Sequence, residues 1–391
     1  MNDKVRFGIA GIGNMGGAHA ENILGGKVKN AELAAVCDIN PDRLAWAEDS
    51  LTGARPADSV KTFADADEMY GSGLIDAVII ATPHYSHPPL TIAAFKKGLH
   101  VMCEKPAGVY TKQVREMNAA ADIYKRVFGM MFNQRTDPAY IKIHDMVSAG
   151  ELGEFRRVNI IITDWYRPQF YYDSGDWRGT WAGEGGGVLL NQCPHNLDLW
   201  QWICGLPKSV TAFCKSMWHN IEVEDDVTAY ADYENGATGV FVTSTADAPG
   251  TNRFEISGTL GKLVYEGGKL THHKLSINER EFNRTTDKAF GSPPCTVSEI
   301  KITGGYPQHC GVLEKFVNKI LYGGELVADG REGIRGLLLS NAIHLSSWLG
   351  RTVSLPIDED LFYGELQKRV KNSKIKAGVR QFVTNDMSAT F

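Results

Sequence analysis

A glycine-rich run constrains the fold of this chain more than any other feature of its sequence; it reads Gly11-Ile12-Gly13-Asn14-Met15-Gly16. An apolar run precedes it and a helical spacing follows, which predicts a strand, a tight turn and a helix. In such a turn the first glycine permits the bend, the second lets the backbone approach a pyrophosphate, and the third lets helix and strand pack closely. Free N–H groups at the helix start then face the phosphates, so the run predicts a dinucleotide site.

The residues after the second apolar run bear on which dinucleotide binds. Asp38 stands at the end of that run, where its carboxylate is expected to accept hydrogen bonds from the adenosine ribose and to repel a 2′-phosphate. Arg43 follows closely; it either reaches a 2′-phosphate and weakens this preference, or pairs on its own helix. The sequence therefore predicts NAD as the cofactor, with NADP less favoured.

The order of strand and helix patterns predicts two domains. Up to residue 130 strands alternate with helices, as in a doubly wound parallel sheet covered on both faces. Beyond it several strand-like runs follow one another across glycine-containing turns, which predicts a large, mostly antiparallel open sheet. A chain of 391 residues is also too long for one ordinary core. We expect an α/β protein, with a Rossmann NAD-binding domain at 1–130 and an α+β domain for substrate binding and oligomerisation at 131–391.

Composition excludes several classes of partner. The net charge of −5 and the lack of a basic run argue against nucleic acid. No apolar stretch is long enough to span a membrane. The seven cysteines include no C-x-x-C pair, which favours reduced thiols, without disulfides or zinc, in a cytoplasmic protein.

Two tripeptides mark the ends of later strands, Ala81-Thr82-Pro83 and Glu104-Lys105-Pro106. Ligands of doubly wound sheets bind at the carboxyl ends of the strands, so both tripeptides are expected to border the nicotinamide. Lys105 is then placed to hydrogen-bond a substrate hydroxyl and to favour the developing alkoxide. Alternatively, Glu104 and Lys105 form an ion pair at the surface.

From Gly8 to about Leu355 the chain resembles the glucose–fructose oxidoreductase / inositol dehydrogenase / rhizopine-catabolism family, Gfo/Idh/MocA. The resemblance rests on Gly11 to Gly16, Ala81-Thr82-Pro83, His87, the run from Gly98 through His100 and Val101 to Glu104-Lys105-Pro106, and Gly185-Gly186-Gly187 through Asp198. It implies a two-domain enzyme that oxidises or reduces a hydroxyl of a sugar or cyclitol with NAD(P). It also implies a homodimer or homotetramer formed through the second-domain sheet.

The second-domain motif supplies the remaining catalytic candidates. A helix predicted from Leu190 to Cys204 would place Asn191, His195 and Asp198 on one face. His195 would then be the general base, with Asp198 holding its imidazole. Alternatively, His195 is a core histidine. The resemblance implies aspartate in many relatives where Asn191 stands; since an asparagine cannot take a proton, Lys105 and His195 remain as the proton-handling pair.

Other candidates are assigned to the cofactor or to the substrate. The further cofactor contacts are Ile12, Asn14, Met15, Ala81, Thr82, Pro83, His84, His87, Glu104, Gln134, Trp177 and Arg178, the last of which could instead bind a substrate anion. The further substrate contacts are Asn133, Trp165, Tyr166 and His309, with Tyr306 beside them. Neither His84 nor His87 has a metal-ligand set around it in the sequence, so we predict no metal.

Three functions remain open at this point. The first is an NAD-dependent oxidoreductase acting on a ring hydroxyl of a pyranose or cyclitol, with Lys105 and His195 handling the proton. The second is an NAD-dependent glycoside hydrolase, in which transient oxidation at C3, elimination and re-reduction give no net redox change. The third is a nucleotide-binding regulator without turnover, against which the intact Lys105 and His195 argue.

Overall fold

Strands and helices alternate in the N-terminal part of the chain in the computed structural model, which describes residues 3–51, 60–374 and 376. The elements are β1 (Val5–Ala10), α1 (Asn14–Leu24), β2 (Ala31–Cys37), α2 (Pro41–Ser50), β3 (Lys61–Phe63), α3 (Ala66–Gly71), β4 (Ala77–Ile80), α4 (His87–Lys96), β5 (His100–Cys103), α5 (Thr111–Tyr124) and β6 (Phe128–Met130). All pairs are parallel, in the order β3-β2-β1-β4-β5-β6. Strand order reverses between β1 and β4, where such sheets bind their ligands.

The apolar character of these strands follows from their coverage on both faces. All four residues of β4 are buried, and so are both Phe7 and its neighbour Gly8 on β1. A strand that buries both faces reads as a continuous apolar run and not as an alternation. This is the pattern that the sequence shows, and it explains why these strands were predicted.

A second sheet of nine strands dominates the rest of the chain. The elements are α6 (Pro138–Ser148), β7 (Phe155–Ile162), α7 (Gln169–Asp173), α8 (Pro194–Cys204), β8 (Ser209–Lys215), β9 (Asp226–Asp232), β10 (Thr238–Ser244), β11 (Asn252–Gly258), β12 (Gly261–Glu266), β13 (Lys269–Leu275), α9 (Glu279–Thr285), β14 (Cys295–Ile300), α10 (Gln308–Tyr322), α11 (Gly333–Leu349), β15 (Val353–Ser354) and α12 (Glu359–Asn372). The order is β14-β13-β12-β11-β7-β10-β9-β8-β15, and only β7 and β10 pair in parallel.

Side chains alternate across this second sheet between a buried and an exposed face. On the buried face, Trp200 of α8 stacks on Phe241 of β10 with ring centroids 5.6 Å apart, which fixes α8 against the sheet. On the opposite face, Phe213 and Tyr230 are 64% and 43% exposed. One face of the nine-stranded sheet therefore packs against α8, and the other face exposes apolar side chains.

A helix from the C-terminal half completes the N-terminal core. Phe316 on α10 packs against Phe7 on β1 with ring centroids 6.2 Å apart, and Val312 and Leu313 belong to the same buried cluster. The two sheets are therefore joined by packing as well as by chain continuity. The sequence boundary at residue 130 coincides with the end of β6, and as a domain boundary it stays a prediction.

Several elements depart from the sequence predictions. The helix predicted from Leu190 begins only at Pro194, because proline lacks an N–H and is favoured at the first helical position. The sequence patterns do not predict β3, α3, α7, β13, α9, β14, β15 or α12. Among the residues that the structure describes, no helix is long and apolar enough to cross a membrane.

Candidate active site

The glycine turn has the geometry of a phosphate cradle. Gly11 has φ +86°, and a Cβ added to Gly16 would lie 1.8 Å from the Gly11 carbonyl oxygen, so both positions require glycine. A Cβ at Gly13, in contrast, would meet no atom within 4 Å. α1 starts at Asn14 with no side-chain cap and no acidic residue in its first turn. The open space at Gly13, facing the positive end of a helix, therefore fits the pyrophosphate of a dinucleotide.

This geometry separates folding from cofactor binding at two neighbouring glycines. We expect Gly13→Ala to keep the thermal midpoint of the protein, because the new methyl group meets no protein atom, and to weaken NADH binding about tenfold or more by filling the phosphate space. Gly364→Ala, a change at an equally open position on α12, is the matched control. Fluorescence titration of NADH against all three proteins measures the effect, and wild-type affinity in Gly13→Ala would show that the turn does not hold the pyrophosphate.

Asp38 and Arg43 meet at the backbone of the glycine turn. Asp38 accepts hydrogen bonds from the backbone N–H of Ile12 and of Asn40, both at 2.9 Å. Arg43 donates to the Ile12 carbonyl at 2.8 and 2.6 Å, and its guanidinium lies 4.2 Å from the Trp46 ring centroid. The Arg43 side chain therefore contacts the glycine turn and its own helix, which agrees with the second of the two alternatives, pairing on that helix.

The two strand-end tripeptides are tied together by His87. Its ring nitrogens lie 2.7 Å from the Thr82 and Pro106 carbonyl oxygens. Ala81 lies directly under the glycine turn, since a Cβ at Gly11 would come within 2.7 Å of its carbonyl oxygen. His87 is 1% exposed, so it connects the two strand ends from within the protein interior.

Glu104 is buried and does not form the surface pair considered from the sequence. Its Oε1 lies 2.7 Å from Nε2 of His19, on α1. Burial alone would raise the pKa of Glu104, but the His19 hydrogen bond and nearby positive charges outweigh it and lower the pKa to about 2. Glu104 is therefore an ionised group that links the sheet edge to the glycine-turn helix. The ring of His309 lies 5.6 Å from that of His19, and burial lowers the pKa of His309 to about 4.

Lys105 reaches across the cleft to the second domain. Its Nζ donates to the backbone carbonyl of Asn191 at 2.8 Å. The side-chain oxygen of Asn191 accepts from the Tyr171 hydroxyl at 3.2 Å, and its amide donates to Glu184. Asn191 lies in the turn before α8, so it does not share a helix face with His195 and Asp198, as the sequence had suggested.

His195 occupies the first turn of α8, four residues after the carbonyl that takes Lys105. It is 6% exposed, and its Nδ1 is buried without a hydrogen-bond partner. Burial and the nearby Lys105 charge hold the pKa of His195 well below its usual value, so the imidazole is neutral near pH 7. The structure therefore brings Lys105 and His195 to one region.

Asp198 does not hold the His195 imidazole; that prediction is wrong. Its two carboxylate oxygens accept hydrogen bonds from Arg135 Nε and Nη2, both at 2.7 Å. Glu332 accepts a third bond from Arg135 at 3.0 Å. Asp198 is three positions after His195, so the two side chains share a side of α8 only approximately. The buried guanidinium of Arg135, in the turn before α6, is the stronger partner of Asp198. Asp198 thus anchors α8.

A cavity of about 220 Å³ opens beside His195. Its lining combines amide, carboxylate and aromatic side chains, namely Asn133, Gln134, Asp137, Tyr140, Asp164, Trp165, His195, Asn252, Tyr265 and Tyr306. Four of these besides His195 were singled out in the sequence: Asn133, Gln134, Trp165 and Tyr306. The other five were missed, because they come from five separate elements or connections and carry no local motif.

The remaining predicted residues lie around this region without lining the cavity. His84 Nδ1 lies 3.0 Å from the Glu184 carbonyl, and its ring lies edge-on to Trp177 at 5.6 Å. Arg178 donates to the Tyr171 hydroxyl at 2.5 Å. Tyr166 is 49% exposed. The described residues contain no group of three or more His, Cys, Asp or Glu side chains arranged to hold a metal ion.

Comparison with known proteins matches this architecture. The family model described as "oxidoreductase family, NAD-binding Rossmann fold" matches residues 5–132, and that of the GFO/IDH/MocA C-terminal domain matches residues 140–264. Together they cover more than half of the chain. The first match confirms the predicted NAD-binding Rossmann domain, and the open space at Gly13 fits the pyrophosphate of that cofactor. The contact of Asp38 with the adenosine ribose stays a prediction.

Several similar proteins carry the name of a dehydrogenase. Inositol 2-dehydrogenase of Rhizobium meliloti is 25% identical over 362 residues, covering 90% of this chain and 99% of that protein. The scyllo-inositol 2-dehydrogenase (NAD⁺) of Bacillus subtilis is 28% identical, covering 71% and 78%. The crystal structure of the WlbA dehydrogenase of Bordetella pertussis, solved with NADH and UDP-GlcNAcA, is 28% identical, with a TM-score of 0.74 and coverage of 91% and 100%.

Proposed function

Since the chain belongs to the Gfo/Idh/MocA family of NAD-binding oxidoreductases, we propose that it transfers a hydride between NAD and a ring hydroxyl of a pyranose or cyclitol. Relatives named inositol dehydrogenases, and a similar structure solved with a sugar nucleotide, support this substrate class. No observation in the structure favours the glycoside hydrolase alternative over this reaction, so it remains an outcome of the test below.

The chemistry of the cavity beside His195 is the observation that carries this proposal. Its buried unpaired polar atoms include the side-chain oxygens of Asn133, Gln134 and Asn252 and the Trp165 indole N–H. Buried polar groups are normally paired, so a ligand with many hydroxyls is the natural complement. The rings of Trp165 and Tyr265 add flat apolar surfaces of the kind that contact sugar faces.

Lys105 and His195 divide the proton chemistry between them. When bound, NAD supplies the acceptor or donor of the hydride. The neutral imidazole of His195 takes the hydroxyl proton in the oxidation, and the ammonium of Lys105 stabilises the oxygen as it becomes an alkoxide. In the reverse direction the same two groups return the proton and polarise the carbonyl.

A coupled assay tests the proposed function. The protein is mixed with NAD and a panel of pyranoses, inositols and aryl glycosides, while NADH absorbance and aglycone release are followed together. We expect net NADH with at least one ring polyol; Lys105→Met protein, purified in the same way, controls for contaminating dehydrogenases. Aglycone release without net NADH would replace the proposal by the hydrolase, and no signal with NAD or with NADH and keto sugars would leave a regulator without turnover.

The proposal includes a homodimer or homotetramer through the nine-stranded sheet. The apolar groups on its open face support it, because monomers seldom leave such groups exposed on a broad flat surface: Phe213, Tyr230 and Val297 are 64%, 43% and 58% exposed. A monomer mass in light scattering would contradict it. The cytoplasmic location stays a prediction.

A further inference from the structure

Glu184 is a buried carboxylate in the catalytic region that sequence analysis did not single out. It lies in the connection between α7 and α8 and is 1% exposed. One oxygen accepts the Gly179 backbone N–H at 2.6 Å, and the other accepts the side-chain amide of Asn191. Burial raises the pKa of Glu184, whereas Arg178 and the two N–H donors lower it. Since both oxygens face N–H donors, the hydrogen-bond pattern is that of an ionised carboxylate.

Asn191 connects this carboxylate to Lys105. Its side-chain amide is held by Glu184 and by the Tyr171 hydroxyl, while its backbone carbonyl accepts the Lys105 ammonium. The backbone carbonyl of Glu184 also lies 3.0 Å from His84 Nδ1, which joins the same connection to the Rossmann sheet edge. Glu184 therefore takes part in two contacts between the second domain and the edge of the Rossmann sheet, one through Asn191 and one through its own carbonyl.

We propose that Glu184 is a positioning residue of the oxidoreductase site: through Asn191 it fixes the Lys105 ammonium, and its negative charge keeps that ammonium protonated in a buried place. The inference rests on the proposed function, because it assigns Lys105 a catalytic role there. It extends that function by naming a residue that touches neither substrate nor cofactor.

The charges around Lys105 support the second half of this inference. Burial lowers the pKa of Lys105, and Arg167 and Arg178 lower it further, whereas Glu104 and Glu184 raise it. Glu104 is also engaged by the His19 imidazole at 2.7 Å, and Glu184 adds a second negative charge. The other titratable groups facing Lys105 are His84, His87, His195, His309 and Cys193. Burial lowers the pKa of each of these histidines and raises that of Cys193 to about 12, which keeps them uncharged near neutral pH.

Two variants test the role by removing the charge and then returning it nearby. Glu184→Gln removes the charge and leaves one oxygen to serve two N–H donors. Adding Asn191→Asp restores both: the glutamine oxygen takes the Gly179 N–H, its amide donates to the new carboxylate, and the second oxygen of that carboxylate accepts from Tyr171. If Glu184 served only to accept the Gly179 N–H, adding Asn191→Asp to Glu184→Gln would have no effect on Lys105.

Two measurements report on Lys105 in these variants. The first is the alkaline limb of the pH profile of kcat, where Lys105 loses its proton. The second, which needs neither substrate nor NAD, is the pH dependence of Lys105 acetylation by trace acetic anhydride, followed by peptide mass spectrometry. Because Glu184 raises the pKa of Lys105, we expect Glu184→Gln to move both midpoints about one unit to lower pH, and the double variant to return them.

Glu224→Gln is the matched control. Glu224 is also a buried carboxylate that accepts backbone N–H groups of this region, from Gly187 and Leu189, but its charge partner is His344 at 2.9 Å, and it is not among the main charges that set the pKa of Lys105. We expect Glu224→Gln to lower stability without moving either midpoint.

Wild-type midpoints in Glu184→Gln would overturn the inference, and so would a double variant that folds but fails to restore them. If Glu184→Gln does not fold, the double variant and Glu184→Asp decide. Absence of turnover in the wild type would refute the proposed function, and the acetylation data would still decide the role of Glu184.

Discussion

Lys105→Met is expected to lower kcat by about 10²–10³-fold, the loss found when a donor to a developing oxyanion is removed, while NADH binds as in the wild type. Methionine keeps the length and apolar stem of lysine but cannot donate to the Asn191 carbonyl or to an alkoxide. The glycine turn, which we propose to hold the cofactor, lies on other elements and is left intact. Steady-state kinetics with the substrate found by the panel, together with NADH fluorescence titration, measure the two quantities.

The residual activity of this variant carries a second expectation. The Lys105 charge helps to lower the pKa of His195, so its removal raises that pKa and moves the acid limb of the profile to higher pH. Lys97→Met, at the exposed C-terminal end of α4, removes a lysine without touching the site and is the matched control. Normal turnover in Lys105→Met would mean that the proton chemistry is carried elsewhere.

Local signals were sufficient to predict most of the Rossmann half of the fold, although they miss β3 and α3. The bounds of β1, β2 and β5 agree with the apolar runs of the sequence. These strands are short, and Gly11 follows β1 directly, as Asp38 follows β2. The glycine turn is equally local, because its first and third glycines are required by contacts within a few residues or with the adjacent strand.

The second-domain site could be predicted only in part, because its contacts are long-range. His195 was recognisable within its motif, but the start of α8 was not, and a shift of four residues moved Asn191 off the helix face. Glu184 was missed since a glutamate before three glycines has no signature of its own. Its role emerges only where Asn191 and Lys105 meet, 86 residues apart in sequence.

Asp198 shows why residue spacing alone assigns roles poorly. Its position after His195 suggested a carboxylate that orients an imidazole, whereas the fold provides a guanidinium at 2.7 Å from both oxygens. The side chains of Arg135 and Asp198 are 2% and 1% exposed. Two charges buried at this depth are tolerated only when they are paired. Asp198 is therefore needed to neutralise Arg135, and it does not orient the His195 imidazole.

Asp198→Asn is therefore expected to lower the free energy of unfolding by about 3 kcal/mol, because it leaves the buried Arg135 guanidinium with one carboxylate fewer. The loss lies at the lower end of the range for such pairs, since Glu332 still accepts from Arg135 at 3.0 Å. Urea denaturation measures it. The matched control is Asp360→Asn, which breaks the surface pair with Lys112, where the side chains are 81% and 49% exposed; because solvent screens this pair, we expect a much smaller loss of stability.

The pH profile of Asp198→Asn separates the structural role from the catalytic one. If Asp198 serves only Arg135, the acid limb that reports His195 keeps its wild-type position at a temperature where the variant is folded. If Asp198 instead holds the imidazole, the limb moves and stability changes little, because the asparagine would still accept the imidazole hydrogen bond. The distances to Arg135 Nε and Nη2 predict the first result, and the second would return Asp198 to the catalytic set.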